Sequence, residues 1–297
     1  MKIVEVGPRD GLQNEKKPIS TPDKLHYINQ LVAAGLTRIE AVSFVRADRV
    51  PQMADAEGVM AGVPRSEFVS YSGLVMNDRG LTRAIECGVD EVNIVVVASE
   101  TFSQRNQNMT IADSLTTLAP MIERARHEGI EVTVTVGASF GCPFEGEVPT
   151  ERVVGIVEQA ALLGANEIAL ADTIGVGTPV DVRRLVLGAQ AVTDLPLRLH
   201  LHNTRNTGYA NAFTAFELGV AALDASTGGI GGCPFAPNAT GNIATEDLSY
   251  MLERAGVSVG LDFELTTEAA EFIAEKLEIK TPALLGRAGW FPAASYE

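Results

Sequence analysis

Cysteine and basic residues are scarce in this chain of 297 residues, and long apolar runs are missing. The three cysteines, Cys87, Cys142 and Cys233, are far apart and form no C-x-x-C pair, which argues against a disulfide framework or a zinc knuckle. Lys and Arg total 23 against 38 Asp and Glu, and the net charge of −15 weighs against a nucleic-acid partner. No run approaches the roughly 18 to 20 apolar residues of a membrane-spanning helix, so we expect no membrane partner.

Two further signals are missing. Residues 1–11 contain no basic segment followed by a long apolar one, and no Arg/Ser-rich stretch, so we expect a cytoplasmic location. No G-x-G-x-x-G pattern follows an early strand, which disfavours a doubly wound dinucleotide-binding sheet. Hydrophobic residues make up 46% of the chain and charged residues 21%, which is the balance of a globular protein with a large core.

Short, β-branched apolar runs alternate with helical patterns along the chain. Their near-continuous apolar character is typical of parallel strands that are covered on both faces. The eight strand candidates are Lys2–Val6, Arg38–Ser43, Phe68–Ser72, Glu91–Val97, Glu131–Gly137, Glu167–Ala171, Leu197–His202 and Ala221–Ser226.

Helix signals lie between these runs. Ser or Thr before Pro or an acidic residue precedes helical patterns at Asp23–Ala34, Arg152–Leu163 and Val180–Val192. Glycines that suit the position after a helix are Gly35, Gly88, Gly129, Gly164 and Gly219.

Eight strand–helix units without a long linker predict an α/β protein with one (β/α)8 TIM barrel, over about residues 1–256. Helical patterns continue at Thr245–Ala255 and Thr266–Glu278. We expect the extension over residues 257–297 to lie near the barrel mouth, residues 286–297 to be loop, and residues 1–297 to form a single domain.

Polar residues follow the first two predicted strands where a barrel has its active site, at the carboxyl ends. Strand one leads into Arg9-Asp10 between glycines, which is either a salt-bridged turn or part of a site. Glu40 lies in an apolar strand, where an unpaired carboxylate is costly. It either holds Arg9 or a metal-bound water, or faces solvent at the strand end.

Two histidines end strand seven, in His200-Leu201-His202. Residues two apart on a strand face the same side, so both imidazoles are expected to face the barrel axis. With Asp10 they would offer one carboxylate oxygen and two nitrogens to a metal ion, although such a histidine pair also arises by chance.

Glycines and a thiol follow strand eight. Residues 228–232 contain four glycines and lead to Cys233, which is either a reactive thiol on a mobile loop or an incidental one. Asn242 stands just before a helical pattern. Its side chain is either a helix cap or a further metal ligand.

Seven segments together resemble the 3-hydroxy-3-methylglutaryl-CoA lyase family of the DRE-TIM metallolyases. The resemblance extends from about Val4 to the helix after Asp247. The segments are GPRDGLQNE, EAVSFV, VPQMAD, GCPFEGEV, DTIGVGTP, HLHN and GGIGGCPFAPNATGNIATED.

The resemblance implies a TIM barrel that holds a divalent metal, usually Mg²⁺ or Mn²⁺, with Co²⁺ or Zn²⁺ as further options. Carried over by motif, the metal ligands are Asp10, His200, His202 and Asn242. The substrate would be a 3-hydroxyacyl-CoA, with the CoA thioester as substrate and not as cofactor. The reaction implied is carbon–carbon cleavage of 3-hydroxy-3-methylglutaryl-CoA to acetoacetate and acetyl-CoA.

The same resemblance implies roles for individual residues. Arg9 would stabilise negative charge on the thioester oxygen, and Cys233 would protonate the enolate. Glu40 would position Arg9 or a water molecule bound to the metal. The base stays open among Asp10, a histidine and a hydroxide ligand of the metal. Residues implied to contact the CoA substrate are Arg9, Gln13, Lys16, Asn106 and Thr110, with Arg49 and Arg105 as further candidates for its phosphates. Related lyases often form dimers, so a homodimer is compatible with the resemblance.

Two segments depart from the family pattern. Asn203-Thr204-Arg205 stands where the family usually has Asp-Thr-Tyr, and residues 45–49 carry more positive charge than is common. These changes leave the acyl group open, and (R)-citramalyl-CoA is the alternative substrate. A non-catalytic ligand-binding barrel is the alternative of a different class.

Overall fold

The computed structural model describes residues 1–232 and 241–292. Eight parallel strands form a closed barrel in chain order, with β8 paired to β1. The strands are β1 (Lys2–Glu5), β2 (Arg38–Ser43), β3 (Ser70–Val75), β4 (Glu91–Val97), β5 (Glu131–Gly137), β6 (Glu167–Asp172), β7 (Leu197–Leu201) and β8 (Ala222–Ala225). The predicted (β/α)8 barrel is confirmed.

Helices follow the strands around the outside of the barrel. They are α1 (Thr21–Ala33), α2 (Ala56–Gly62), α3 (Asp78–Glu86), α4 (Glu100–Gln107), α5 (Ile111–His127), α6 (Thr150–Leu162), α7 (Pro179–Gln190), α8 (Gly208–Glu217), α9 (Thr245–Arg254), α10 (Phe263–Leu277) and α11 (Leu285–Ala288). The core lies between the barrel and this ring, where branched side chains of strands and helices are fully buried.

The glycines predicted to end helices do so. Gly35, Gly88, Gly129, Gly164 and Gly219 all have positive φ angles, between 64° and 99°. A residue with a side chain is strained in that region, so glycine reverses the chain here at the lowest cost.

The third strand starts later than the sequence pattern predicts. It runs over Ser70–Val75 rather than Phe68–Ser72, and Phe68 is exposed. Gly73 lies inside the strand because a Cβ atom there would collide with the ring of Phe44. The apolar pattern is interrupted at that glycine, although the strand continues through it.

The C-terminal extension packs beside the first helix. Lys276 of α10 pairs with Asp23 of α1 at 2.7 Å, and Phe272 packs against His26 with 4.6 Å between ring centroids. The short helix α11 corrects the expected loop at residues 286–288, whereas residues 289–292 form neither helix nor strand. The Asp247 carboxylate accepts hydrogen bonds from the N–H groups of Leu284 and Leu285, and so satisfies donors at the start of α11.

The division into a barrel over residues 1–256 and an extension over 257–297 within one domain stays a prediction. No helix of the described ranges has the length and apolar character to cross a membrane.

The barrel interior is charged near the start of its strands. Arg38 opens β2, and its Nε donates to Glu91 Oε2 at 2.8 Å while Nη1 donates to Glu167 Oε1 at 2.9 Å. Thr133 Oγ1 donates to Glu91 Oε1 at 2.7 Å. Each of these charged groups thus has an opposite charge in contact, which offsets the cost of removing it from water.

Candidate active site

The loop after β1 forms a short π-helical turn over Gly7–Gly11 at the carboxyl end of the barrel. The N–H groups of Asp10 and Gly11 both donate to Val6 O, at 2.7 and 3.1 Å. Gly7 is required because a Cβ atom there would collide with the Tyr27 hydroxyl and the Glu5 carboxylate. This turn aims the side chains of Arg9 and Asp10 into the barrel mouth.

Arg9 lies between two carboxylates. Its Nη1 donates to Asp10 Oδ1 at 2.7 Å, its Nε donates to Glu40 Oε2 at 2.8 Å, and Nη2 also donates to that Glu40 oxygen. Glu40 therefore faces inward and holds Arg9, rather than facing solvent. Burial lowers the pKa of Arg9, but the charges of Glu40 and Asp10 outweigh burial and raise it overall. The guanidinium therefore stays protonated.

Asp10 faces both histidines of the segment that ends β7. Its Oδ2 lies 3.8 Å from His200 Nε2 and 3.9 Å from His202 Nε2. One ligand atom from each of the three residues lies within 4.8 Å of the others, and all three side chains are buried. Burial raises the pKa of Asp10, but Arg9 and the two histidines outweigh burial and hold it far below its usual value. Asp10 is therefore ionised.

Asn242 joins this group instead of capping a helix. The N-cap of α9 is Ala244 without a side-chain hydrogen bond, whereas Asn242 Nδ2 donates to Asp10 Oδ2 at 3.0 Å and to Ile230 O at 3.1 Å. Its Oδ1 is buried and has no hydrogen-bond partner among residues 1–232 and 241–292. A buried carbonyl oxygen without a partner suits a further ligand to a cation.

The donor set fits a divalent cation. One carboxylate, two imidazoles and one amide oxygen are oxygen and nitrogen ligands that Mg²⁺, Mn²⁺, Co²⁺ and Zn²⁺ accept. The residues in place are Asp10, His200, His202 and Asn242.

Three polar residues outside the recognised motifs support this group. Asp224 Oδ2 lies 3.1 Å from His200 Nδ1. Asn93 Nδ2 donates to Glu40 Oε1 at 2.9 Å, and Thr135 Oγ1 donates to Asn93 Oδ1 at 2.7 Å. In the sequence, each of these residues is a polar residue within an apolar strand segment: ALDAS, EVNIVVV and EVTVTVG. That pattern could have indicated that their side chains face the site.

The predicted substrate contacts are distributed unevenly. Gln13 joins the site, since its Nε2 donates to Asp10 Oδ1 at 3.1 Å. Lys16 is exposed. Asn106 and Thr110, which the resemblance implies as CoA contacts, lie beyond β4: Asn106 is in α4 and Thr110 is the N-cap of α5. Cys233 lies outside the described residues.

The residues after β7 that differ from the family pattern, Asn203 and Arg205, form hydrogen bonds that hold the neighbouring loops. Asn203 Oδ1 accepts a hydrogen bond from Gly208 N at 3.0 Å at the start of α8. Arg205 Nη1 donates to the carbonyl oxygens of Ile174 and Gly175, each at 3.0 Å. Arg205 thus ties the loop after β7 to the loop after β6, beside the barrel mouth.

Fold and site together define a barrel enzyme with a candidate cation site at the carboxyl ends of its strands. The profile of the HMGL-like family matches residues 1–273. The chain belongs to this family and is a carbon–carbon lyase, so the resemblance noted in the sequence is confirmed.

Relatives and solved structures are similar over nearly the whole chain. The (R)-citramalyl-CoA lyase of Chloroflexus aurantiacus is 42% identical over 97% of this chain and 94% of that protein. The cytoplasmic 3-hydroxy-3-methylglutaryl-CoA lyase of Rattus norvegicus is 40% identical over 98% of this chain and 85% of that protein. An HMG-CoA lyase structure from Acinetobacter baumannii, in complex with coenzyme A and 3-methylmalate, has a TM-score of 0.94 at 39% identity, covering 99% of this chain and 97% of that one.

Proposed function

We propose that this protein is a divalent-metal-dependent lyase that cleaves 3-hydroxy-3-methylglutaryl-CoA to acetoacetate and acetyl-CoA. One observation carries the proposal: an ionised carboxylate, Asp10, contacts a protonated arginine on one side and faces two imidazoles on the other. Asp10, His200, His202 and Asn242 would hold the metal, for which Mg²⁺ or Mn²⁺ is our first choice. When bound, a divalent cation acts as a Lewis acid toward the substrate hydroxyl and carboxylate oxygens.

Arg9 is suited to the thioester end of the substrate. Three of its N–H groups are used by Asp10 and Glu40, so within residues 1–232 and 241–292 two of the five guanidinium donors are left for a substrate oxygen. A guanidinium held rigidly by two carboxylates stabilises negative charge as it develops on that oxygen. Glu40 positions Arg9, and Asn93 in turn fixes the second oxygen of Glu40.

The reaction moves one proton from oxygen to carbon. A base takes the hydroxyl proton, the carbon–carbon bond breaks to give the ketone, and its electron pair forms the enolate of acetyl-CoA. Cys233 is the proposed acid that protonates the enolate carbon. The low pKa makes Asp10 a weak proton acceptor, so we assign Asp10 to cation binding and charge balance rather than to the base.

Exposed cations would bind the phosphates of CoA. Lys16 and Arg49 are exposed and form no ion pair within the described ranges, and Arg105 lies 4.2 Å over the ring of Phe144. We therefore favour Lys16, Arg49 and Arg105 over Thr110, whose hydroxyl already donates to Asp113 in a helix cap. Lys16→Ala and Arg49→Ala should raise KM for the thioester, whereas Lys2→Ala at the opposite end of the barrel should not.

A specific observation supports (R)-citramalyl-CoA as the second candidate substrate. The citramalyl-CoA lyase relative is as similar to this chain as the HMG-CoA lyases are. The two thioesters share a tertiary alcohol with a methyl group and differ by one methylene before the free carboxylate. An enzyme pocket that distinguishes two substrates by one methylene changes their relative transition-state binding free energy by only about 1–3 kcal/mol.

A panel of acyl-CoA thioesters tests the proposal. The protein is assayed with Mn²⁺ or Mg²⁺, and with a chelator, for release of acetyl-CoA together with acetoacetate or pyruvate. We expect acetoacetate, and loss of activity with chelator. Pyruvate as the faster product would select the second candidate, and no turnover of any thioester with Mn²⁺ would favour a non-catalytic binding barrel.

Variants separate the residue assignments. His200→Ala with His202→Ala should lower the bound metal content, and unchanged metal content would refute the ligand assignment. Cys233→Ala should lower kcat, whereas Cys87→Ala at the end of α3 serves as the matched control. Parent-level turnover by Cys233→Ala would refute the acid assignment.

Location and assembly also belong to the proposal. We keep the cytoplasm as the predicted location, with relatives named as cytoplasmic and as mitochondrial among the matches. Cell fractionation tests that prediction. A homodimer stays a prediction that sedimentation of the full chain would test.

A further inference from the structure

Asp224 lies behind His200, on the side away from Asp10. It is buried in β8, where it is the direct register partner of His200 on β7. Its Oδ2 lies 3.1 Å from His200 Nδ1, while His200 Nε2 faces Asp10 Oδ2 at 3.8 Å. The two nitrogens of one imidazole therefore face two different carboxylates.

We propose that Asp224, held by the buried Arg198, is a positioning residue that fixes the ring of His200. The Nδ1–H of His200 donates to Asp224, which leaves the lone pair of Nε2 directed toward the cation site. Such a partner fixes the tautomer and orientation of a metal-binding histidine and makes it a better ligand. The part of this inference that concerns a cation depends on the proposed function. The hydrogen bond and the ring orientation do not.

Arg198 holds Asp224 by charge rather than by hydrogen bonds. It is 1% exposed, and its Nε lies 3.3 Å from Asp224 Oδ1. Within the described part of the chain, Arg198 Nε and Asp224 Oδ1 have no hydrogen-bond partner. A buried carboxylate needs an opposite charge nearby, and Arg198 supplies it.

Arg198 is fixed in turn by the charged groups near the start of the strands. Its Nη1 lies 3.5 Å from Glu91 Oε1 and 3.6 Å from Glu167 Oε2. Arg38 hydrogen-bonds both of these glutamates from the other side. A column of alternating charges thus runs through the barrel interior and ends at His200.

The carboxylate at position 224 matters because it can only accept a hydrogen bond from the ring, whereas an amide can present either its oxygen or its N–H₂ group to Nδ1. In Asp224→Asn, the amide N–H₂ can donate to Nδ1 and select the tautomer with its proton on Nε2, which blocks that nitrogen as a ligand. Arg198→Met keeps the carboxylate but removes its opposite charge. The first change should therefore act on the ring directly, and the second through Asp224.

The test combines a spectroscopic and a binding measurement on the full chain. In the metal-free protein labelled with ¹⁵N-histidine, only four histidines contribute, and His200→Ala identifies the signals of His200. We expect a protected, downfield Nδ1–H on His200 that Asp224→Asn abolishes. Mn²⁺ binding followed by electron paramagnetic resonance should weaken roughly 10- to 100-fold in Asp224→Asn. Arg198→Met should weaken Mn²⁺ binding less than Asp224→Asn does. In the double variant, Arg198→Met should cause no further loss of Mn²⁺ affinity beyond that of Asp224→Asn.

Asp55→Asn is the matched control, because Asp55 forms a carboxylate–cation pair with the buried Lys24 on the outer helices. It should lower stability and leave Mn²⁺ affinity unchanged. A wild-type His200 without a proton on Nδ1 would overturn the inference, and so would unchanged Mn²⁺ affinity in both Asp224→Asn and Arg198→Met. The wild-type spectrum alone decides whether Nδ1 carries the proton, even if Asp224→Asn does not fold. Absence of Mn²⁺ binding by the wild type, with the Nδ1–H signal present, would refute the proposed function alone.

Discussion

Glu246 should make the stability of this protein depend on pH. It is buried near the start of α9, and both of its carboxylate oxygens accept from the N–H of Gly228, at 3.1 and 3.0 Å. Burial raises the pKa of Glu246 from 4.5 to about 8, with the neighbouring charges of Asp247 and Glu5 acting in the same direction. The folded protein therefore keeps a proton here that the unfolded chain has lost at neutral pH.

The sign of the effect follows from this difference in bound protons. Between pH 4.5 and about 8 the folded state binds more protons at Glu246 than the unfolded state, so the free energy of unfolding falls as the pH rises. Each pH unit is worth about 1.4 kcal/mol, so the whole interval lowers the free energy of unfolding by about 5 kcal/mol. Full stability from this group is present below pH 4.5 and is lost above about 8.

Glu246→Gln isolates this contribution. The amide oxygen can still accept from Gly228 N, but the side chain no longer titrates. Urea unfolding followed by circular dichroism, at several values from about pH 5 to about pH 8.5, should show a steep loss of stability in the wild type and a shallower one in the variant. Glu264→Gln on the exposed face of α10 is the control and should follow the wild type. Parallel pH profiles for wild type and Glu246→Gln would refute the reasoning.

Two further predictions concern packing and positioning. Gly7→Ala should lower stability by about 1–3 kcal/mol or more in urea unfolding because its Cβ collides with Tyr27, whereas Gly155→Ala, which meets open space on α6, should raise it by about 0.5–1 kcal/mol. Equal effects of the two substitutions would contradict the tight fit at Gly7. Glu40→Gln should lower kcat by roughly 10- to 100-fold with a smaller change in KM, since Arg9 loses its charged partner. Steady-state kinetics with unchanged kcat would show that Arg9 needs no such support.

Apolar, β-branched runs and helix-end glycines predicted the barrel because both depend on local chemistry. Apolar runs such as Glu91–Val97 and Glu131–Gly137 are bounded as predicted, since their side chains are buried on both faces. The alternation of His200 and His202 about Leu201 placed both imidazoles on one side for the same reason.

Contacts between distant strands were harder to predict. That Asn242 bonds Asp10 rather than capping α9 depends on where β1 and the segment after β8 meet. The pairing of Asp224 with His200 depends on the register of β7 and β8, which no local pattern encodes. The strand whose predicted bounds differ most from the observed ones is β3. It contains a glycine that is explained by the ring of Phe44, which lies just after β2.

The meeting of β1 with the chain after β8 has a consequence for synthesis. The hydrogen bond between Asn242 and Asp10 spans 232 residues, and the one from Thr245 to Glu5 spans 240. A nascent polypeptide on the ribosome therefore cannot assemble the cation pocket until Asn242 has emerged. Products that end before Asn242 would carry Arg9 and Asp10 without the asparagine that completes the pocket, so those shortened chains should have no lyase activity.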